Sequence, residues 1–377
     1  MAYPSQDLIY DILLRLPVKS LVRFRCLSKS FCTEIDGSTF INAHLTRSIE
    51  TKTRRRLIVQ QSGRLNKYTV VGLDELEQGR LLVVQEKQNN FPQRLIRGSC
   101  NGLVLLQHYV LDCLVLSLWN PFTRRIKKLP FVNPENPFYA ITYLGFGYDC
   151  GTNDYKVVGI HGCYGYCTDV WVFSLVSNSW KKLLITCDSK FRLRSYDGIF
   201  AHGALHWLAY GIGNHPCCEI VTFDMSKEDF LPILQIKPQI ISSNAAFAEL
   251  VMPGHMLVWE AIEDGVEAKT IELFDMVKNG DCFAFKSRYN GSIKLNRISE
   301  KGQLVLDILE LSKDGNKILM YATSGNNIGW YWYDLEKRSF ESLNHHLGLP
   351  RLDHEYRNKV ICCWESLVSL GADNQLI

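Results

Sequence analysis

The chain has 377 residues with 46% hydrophobic and 21% charged side chains, proportions typical of a soluble globular protein. No window approaches the roughly 18 uncharged apolar residues of a membrane helix, so we expect no membrane span. The net charge of +3 is too small to predict binding to nucleic acid.

The first predicted element is an amphipathic helix that starts near residue 5. Leu8, Ile12 and Leu16 recur four residues apart, which places them on one helical face. Ser5 is suited to cap this helix, and Pro17 ends it because its ring removes a backbone donor and restricts the residue before it. Charged residues interrupt the apolar run, so we expect a folded helix and not a secretory signal peptide.

Two more short helices are expected, one capped by Ser20 and extending to Leu27, the other around residues 38–45. About forty residues in three helices are too few to cover all of their apolar side chains. The helices therefore pack either on the rest of the chain or on a partner.

The positive charge of the chain is concentrated in residues 1–56, which carry ten Lys or Arg against five Asp or Glu. This excess suggests an acidic partner for the segment. Arg54, Arg55 and Arg56 are expected to form a solvated linker, in preference to a nuclear import signal or a nucleic-acid contact.

The thirteen cysteines are an odd number, and most of them lie in apolar runs. We therefore expect buried free thiols instead of a disulfide framework. Free thiols are typical of a reducing compartment, here the cytoplasm and/or the nucleus.

After Leu57 the hydrophobic period changes to two, and a repeat appears. Its unit is an apolar strand, a polar turn and a second strand that begins with a bulky residue. The copies begin at Leu116, Val170, Ile220, Ile271 and Trp330, with a weaker copy at Tyr68. Five anchors, spaced 54, 50, 51 and 59 residues apart, mark the start of each turn: Trp119, Phe173, Phe223, Phe274 and Tyr333.

A period near fifty residues built from hairpins is typical of a propeller blade, which usually has four strands. Five full copies and one weak copy predict five or six blades, and an irregular β-sandwich is the alternative. Asn120, Asp224 and Asp334 supply the turn chemistry of such hairpins. The apolar run from Val360 is expected to close the β region by pairing with a strand near its start.

The segment DLIYDILLRLPVKSLVRFRCLSKSF, with FINAHL after it, resembles an F-box. The segments RGSCNGLVLL, LWNPFTRRIKKLP, GFGYDCGTNDYKVVGI, NSWKKL and GALHWLA resemble the plant-type, kelch-like F-box-associated domain, so the resemblance covers Tyr3 to about Leu370. It implies an α+β multidomain protein: a three-helix F-box at 1–47, a basic linker at 48–56 and an all-β, propeller-like domain at 57–377.

An F-box implies docking on a Skp-type adaptor, which joins cullin and RING subunits in an SCF ubiquitin ligase. The F-box-associated domain is then a non-catalytic substrate receptor that recruits a protein target for ubiquitination and proteasomal degradation. The resemblance implies these adaptor-binding residues: Pro4, Leu8, Ile12, Leu13, Leu16, Pro17, Leu21, Phe24, Arg25, Leu27 and Phe31.

The chain departs from the family pattern at two positions of this surface. Tyr3 precedes Pro4 where the family usually has Leu, and Phe31 replaces a Trp. Both changes keep an apolar or aromatic anchor, so we expect weaker docking and not its loss. Arg25 or Lys19 at the rim is expected to steer the acidic adaptor.

The sequence does not identify the target protein. Loops of a propeller vary while its blades stay constant, so four aromatic residues are candidates for substrate binding: Tyr164, Tyr166, Tyr210 and Trp259. The alternative function is a free-standing propeller that binds or scaffolds, for example a sugar-binding module, with its helices packed inward on the β domain.

Three patterns suggest other chemistry but are better explained structurally. GFGYDCG at 145–151 lacks the spacing of a phosphate loop and precedes a strand, so it predicts a blade turn. HGCYGYC from His161 matches no common zinc site, and we expect His206 on a strand with its ring satisfied by backbone. We predict no catalytic residue, cofactor or metal, because no nucleophile elbow or carboxylate pair is recognisable.

Overall fold

The computed structural model describes most of the chain: residues 5–61, 67–80, 83–88, 94–133, 136, 141–163, 166–184, 192–210, 218–236, 246–252, 255–261, 269–280, 282–287, 293–295, 304–324, 327–343, 359–371 and 375–376. The chain divides into two compact units, Met1–Phe131 with Leu352–Ile377, and Val132–Arg351. The helices belong to the first unit.

Within the described residues the helices are α1 (Gln6–Arg15), α2 (Val18–Phe24), α3 (Lys29–Asp36), α4 (Ser38–Glu50) and α5 (Leu73–Glu77). In this part of the chain, none of them has the length and apolar character needed to cross a membrane. The predicted limits of α1 are confirmed: the Ser5 hydroxyl accepts a hydrogen bond from the Leu8 amide at 3.3 Å. Leu16 is already extended, as expected of the residue before Pro17.

The described N-terminal segment contains four helices where the sequence predicted three. α2 begins at Val18, directly after Pro17, so Ser20 lies inside the helix and does not cap it. The helix expected to reach Leu27 ends at Phe24, and α3, which the sequence did not predict, begins after Ser28. The Ser28 backbone is extended, and its hydroxyl accepts a hydrogen bond from the Phe31 amide at 3.1 Å.

The strands of the described residues are β1 (Arg55–Gln61), β2 (Lys67–Gly72), β3 (Val83–Gln88), β4 (Leu95–Cys100), β5 (Leu103–Val110), β6 (Cys113–Asn120), β7 (Arg125–Lys128), β8 (Tyr143–Asp149), β9 (Asp154–Cys163), β10 (Tyr166–Ser174), β11 (Ser179–Leu183), β12 (Arg192–Leu193), β13 (Asp197–Ala201), β14 (Ala204–Tyr210), β15 (Cys218–Asp224), β16 (Asp229–Phe230), β17 (Leu234–Ile236), β18 (Ala246–Met252), β19 (His255–Ala261), β20 (Lys269–Asn279), β21 (Cys282–Ser287), β22 (Ile293–Leu295), β23 (Leu304–Leu311), β24 (Lys317–Ser324), β25 (Asn327–Asp334), β26 (Ser339–Ser342), β27 (Lys359–Trp364) and β28 (Gln375–Leu376).

These strands form six antiparallel modules of four strands each, within the part of the chain that the structure describes. The first compact unit holds β27-β1-β2-β3 and β4-β5-β6-β7, the latter extended by β28. The second holds β8 to β11, β13 to β16, β18 to β21 and β23 to β26. A parallel pairing of β8 with β13 joins two of these modules into one sheet.

Each predicted repeat copy forms the third and fourth strands of one module. In four copies the aromatic anchor faces the residue seven positions later across the hairpin: Trp119 with Ile126, Phe173 with Trp180, Phe223 with Phe230, and Tyr333 with Phe340. The weak copy from Tyr68 forms β2 and β3, with α5 between them. The prediction of five or six four-stranded blades is therefore confirmed at the level of the sheets.

The turn residues of these hairpins act as predicted. The Asp224 carboxylate accepts hydrogen bonds from the Ser226 and Lys227 amides, both at 2.9 Å. The Asn120 side-chain oxygen Oδ1 accepts hydrogen bonds from the Phe122 and Thr123 amides at 3.0 and 3.1 Å, in the same i+2 and i+3 arrangement. One short side chain thus closes each turn by itself.

The fourth copy departs from this register. Phe274 faces Ser287, and the hairpin closes at Asn279 and Cys282. The strands are longer here, because β20 runs from Lys269 to Asn279. Asp275 follows Phe274 just as Asp224 follows Phe223, but here it faces Lys286 within the ladder, so the pairing continues past the position where the other copies turn.

The predicted closure by the last apolar run is confirmed. β27 pairs antiparallel with β1, with Val360 opposite Val59 and Cys362 opposite Leu57. One module is therefore built from both ends of the β region.

Candidate adaptor-binding surface and its anchoring

The helical segment has a buried inner side that packs on the C-terminal part of the same unit. Its core consists of Leu13, Val18, Leu21, Ile35 and Phe40 together with Leu367, which follows β27. Leu13 and Leu21 are 3% and 0% exposed. These two residues were predicted to face the adaptor, and the structure corrects this: burial against their own chain makes them supports of the surface.

The outer side carries apolar side chains that the chain leaves uncovered. Leu8 is 51% exposed, Ile12 47% and Leu27 66%. Leu8 and Ile12 lie one turn apart on α1, as their spacing predicted. Pro17 is also exposed. We call Leu8, Ile12, Pro17 and Leu27 the outer face.

The other predicted contact residues are half-buried: Leu16, Phe24, Arg25 and Phe31. Leu16, Phe24 and Phe31 pack against the inner core as well as reaching the surface. Pro4, like Tyr3, lies outside the described residues. Contact of any of these residues with an adaptor stays a prediction.

Arg25, which was predicted to steer the adaptor, forms an ion pair within its own chain. Its guanidinium donates to the Asp36 carboxylate at 2.6 Å, and this hydrogen bond raises the pKa of Arg25. The charge of Arg25 is therefore largely balanced within the chain. Exposed cations of the same region are Lys19, Arg23 and Lys29.

Glu365 fastens the helices to the β region. One of its carboxylate oxygens accepts a hydrogen bond from the Val18 amide at 3.2 Å, at the N-terminus of α2. The other accepts from Arg56 Nε at 2.8 Å. α2 has no side-chain cap of its own, so this distant carboxylate satisfies a free amide and complements the positive end of the helix dipole.

The prediction of a solvated arginine linker is wrong for Arg55 and Arg56. Both lie in β1 and are 5% exposed. Their charges are balanced by acidic residues of α5: Arg55 pairs with Asp74 and Glu77, and Arg56 with Glu75 as well as Glu365. α4 also continues to Glu50, beyond the residue at which the sequence ended the F-box.

Arg54 and His44 connect the helices to each other. Arg54 donates to the Leu14 carbonyl at 3.0 Å and to the Ser48 hydroxyl at 2.6 Å. His44 is fully buried, and its Nε2 lies 2.9 Å from the Leu16 carbonyl, which can only accept, so Nε2 carries the proton. Burial lowers the pKa of His44 to about 4 and keeps the ring neutral at physiological pH.

Sequence reasoning missed this set of anchors. Two signals were available: a single carboxylate, Glu365, inside the apolar run VICCWESLVSL, and the acidic run LDELE at 73–77 that matches three consecutive arginines. Neither signal shows which partners meet, because the partners of Glu365 are more than 300 positions away.

The predicted substrate-binding aromatics fall into two groups. Tyr166 and Tyr210 both face Arg192 across neighbouring strands, whereas Tyr164 lies outside the described residues. Trp259 belongs to a different sheet, on β19 between Phe247 and Ile271. The structure therefore brings Tyr166 and Tyr210 to the two sides of Arg192 in one sheet and places Trp259 in another sheet.

The glycine pattern at 145–151 is not primarily a turn. Gly145 and Gly147 lie inside β8, where an added Cβ would approach Leu205 and Phe200 to 2.6 and 2.4 Å. These glycines make room for side chains of the neighbouring strands. The turn itself is made by Asp149, whose carboxylate accepts a hydrogen bond from the Gly151 amide at 2.9 Å.

His206 lies on β14 as predicted, fully buried. Its Nε2 lies 3.3 Å from the Ala201 carbonyl and its Nδ1 2.9 Å from the Thr222 hydroxyl. Both ring nitrogens therefore have protein partners. No group of three or more potential metal ligands occurs among the described residues.

Comparison with known proteins agrees with this architecture. A family model of the F-box domain matches residues 5–41, and one of the F-box associated beta propeller domain matches residues 56–251, more than half of the chain. F-box protein CPR1 of Arabidopsis thaliana is 28% identical, over 91% of this chain and 84% of its own. Protein SUPPRESSOR OF NIM1 1 of the same species is 27% identical, over 67% and 69%.

Among solved structures, the β-propeller domain of the Trilobed protease from Pyrococcus furiosus matches 69% of this chain and 74% of its own. Its identity is 12% and its TM-score 0.38, too low for an argument about this protein. The family assignment depends on the two domain matches, which cover the helical segment and the first β modules. The chain belongs to the family of F-box proteins with an F-box associated β-propeller domain.

Proposed function

We propose that this protein is the substrate-recognition subunit of an SCF-type ubiquitin ligase. Its outer face docks on a Skp-type adaptor and, through it, on cullin and RING subunits. Its β domain holds a protein target for ubiquitination and proteasomal degradation and performs no catalysis. The observation that supports this most is the exposure of Leu8 and Ile12 on α1 and of Leu27 in the turn after α2, in a segment whose opposite side is buried.

The energetics of the outer face suit a protein partner. Covering a half-exposed leucine or isoleucine contributes about 1 kcal/mol, so this face supplies a few kcal/mol of apolar burial. The exposed cations Lys19, Arg23 and Lys29 belong to the same helical segment and favour an acidic adaptor. The charge available for steering is smaller than the sequence suggested, because Arg25, Arg55 and Arg56 have carboxylate partners.

Anchored helices also suit the chemistry of a receptor. Ubiquitin transfer requires the target lysine to stay near the charged conjugating enzyme, so a fixed orientation raises the effective concentration. Glu365 and the acidic residues of α5 provide such fixation within the first compact unit. The free thiols of the exposed Cys26 and Cys150 suit the cytoplasm or nucleus, where such ligases act.

The test is binding of the full chain to a purified Skp-type adaptor after Leu8 and Ile12 are both changed to alanine. Loss of about 2 kcal/mol of burial is expected to weaken binding by roughly thirtyfold. Leu16 and Pro17 are poorer choices, because the Leu16 side chain packs against the inner core and Pro17 is the N-cap residue of α2. Leu111→Ala is the matched control, since Leu111 is an exposed leucine on a β hairpin.

Unchanged thermal stability of the double variant must accompany the loss, because both side chains are exposed. Equal adaptor binding by the double variant and by Leu111→Ala would refute the proposed docking face.

A second candidate function is a free-standing binding module whose helices only complete the β domain. The packing of Leu367 against the helices and the bond from Val18 to Glu365 favour this alternative. Failure of the intact chain to bind any Skp-type adaptor would support it. An isolated helical segment is unsuitable for this test, because its core includes Leu367.

A further inference from the structure

Three residues line up across three neighbouring strands of one sheet in the second compact unit. Arg192 on β12 faces Tyr166 of β10 on one side and Tyr210 of β14 on the other. Residues that face each other across paired strands lie on the same side of a sheet. The register thus places an arginine between two tyrosine positions.

The Arg192 guanidinium lies over the aromatic ring of Tyr210. The centre of its guanidinium lies 5.1 Å from the ring centroid, the distance of a cation–π contact. Both residues are exposed, Tyr210 to 49%. A guanidinium stacked on a ring keeps its N–H groups, which lie in its plane, available for a carboxylate.

In another cation–π pair of the same sheet, the cation also has a carboxylate partner. Lys182 lies 5.9 Å from the Trp171 ring, but its ammonium also pairs with Asp169 at 2.6 Å. Arg192 has no carboxylate partner among the residues that the structure describes. One exposed cation on an aromatic platform is therefore internally neutralised, and the other is not.

The backbone around Arg192 is held in place. Leu193, its neighbour, is buried in the core of the sheet, and the Leu193 carbonyl accepts a hydrogen bond from the Tyr143 hydroxyl at 3.3 Å. The Arg194 amide donates to the Leu208 carbonyl at 2.8 Å. A partner that binds Arg192 thus meets a pre-ordered site and loses less conformational entropy.

We propose that Arg192 and Tyr210 form a docking site for an acidic segment of a protein partner, with a carboxylate of that segment bound by the Arg192 guanidinium. This inference rests on the proposed function, in which the β domain holds a protein target. Charge complementarity selects the partner: the residues after position 56 carry a net charge of −2, yet Arg192 is an exposed cation with no carboxylate partner among the described residues. A planar guanidinium matches a carboxylate in two parallel hydrogen bonds.

The probe is a fluorescein-labelled hexaglutamate peptide, titrated by fluorescence anisotropy against the full chain at physiological salt. Arg192→Glu is expected to weaken binding by about tenfold or more, and Arg192→Lys by a few fold, because lysine keeps the charge but not the fork. Tyr210→Leu is also expected to weaken binding, because it removes the platform.

Lys182→Glu is the matched control, because it changes the net charge by the same amount on the same sheet. It is expected to change affinity by less than about twofold. Equal loss in Lys182→Glu and Arg192→Glu, or no measurable binding by the unchanged protein, would overturn the proposal. Tighter binding of a labelled oligothymidine, lost in Arg192→Glu, would also overturn it in favour of nucleic acid.

Adaptor binding separates this inference from the proposed function. Arg192→Glu is expected to bind a Skp-type adaptor normally, and Leu8→Ala with Ile12→Ala to bind hexaglutamate normally. If the unchanged protein binds the peptide through Arg192 but no adaptor, the site stands and the ligase role fails. If it binds the adaptor but no peptide, the ligase role stands and the site fails.

Discussion

The helical segment and the β hairpins are stabilised by contacts of different range along the chain. The hairpin turns at Asn120 and Asp224 are each closed by one side chain that accepts hydrogen bonds from the amides two and three residues later. The helices instead depend on Glu365, which lies 347 positions from Val18 and 309 from Arg56. The hairpins can therefore form locally, whereas the helical segment needs the end of the chain to be in place.

This difference bears on function. The outer face, which we propose to dock on an adaptor, lies on a segment that the residues after β27 help to hold in place. We infer that adaptor binding and integrity of the C-terminal segment are coupled through Glu365 and Leu367.

The largest effect is expected from Glu365→Gln, which removes a charge from this long-range junction. It leaves the buried Arg56 with only Glu75 and weakens the contact to the Val18 amide. Breaking a buried ion pair from one side costs roughly 3 kcal/mol or more. Urea denaturation monitored by circular dichroism measures the loss in the free energy of unfolding.

Glu341→Gln serves as its control. Glu341 pairs with Lys317 at 3.0 Å but is 64% exposed, so its loss is expected to cost less than about 1 kcal/mol. Equal destabilisation by the two substitutions would contradict the contrast between the buried junction and the β surface.

The next largest effect is expected in the pH dependence of the free energy of unfolding, to which His44 contributes. Its folded pKa of about 4 lies below the ordinary 6.5, so in acid the unfolded chain binds a proton that the folded chain does not. This contribution to stability is complete above pH 6.5 and is lost as the pH falls toward 4, by at most about 3 kcal/mol. Thermal unfolding at a series of pH values measures it.

His108 and His206 also have pKa values lowered by burial to about 4, so they add losses of the same sign. His44→Gln is therefore compared with the unchanged protein. The variant is expected to be less stable at pH 7 and to show a shallower decline between pH 6.5 and 4. Parallel curves would show that His44 does not contribute in this way.

The sequence could predict features that depend on contacts between neighbouring residues, but not those that depend on contacts between distant residues. The cap of α1 by Ser5, the end before Pro17 and the Asx turns follow from neighbouring residues, and all were predicted. The placement of Leu8 and Ile12 on one face of α1 followed from their spacing, whereas their exposure was implied by the resemblance. The burial of Leu13 and Leu21 was not predicted, and the cluster around them includes the distant Leu367. The division of α2 from α3 was missed because Ser28 was not weighed as a cap.

The smallest of these effects is expected from Asp224, at a local turn. Asp224→Ala removes two hydrogen bonds, to the Ser226 and Lys227 amides, and is expected to cost about 1–2 kcal/mol. Asp224→Asn is the matched control, because Asn120 makes the same two bonds at the equivalent turn, and it is expected to be nearly neutral. Urea denaturation of both variants measures the costs.

Because the turn is local, neither substitution should alter adaptor binding. A loss of adaptor binding in a folded Asp224→Ala variant would mean that the hairpins and the helical segment are coupled after all.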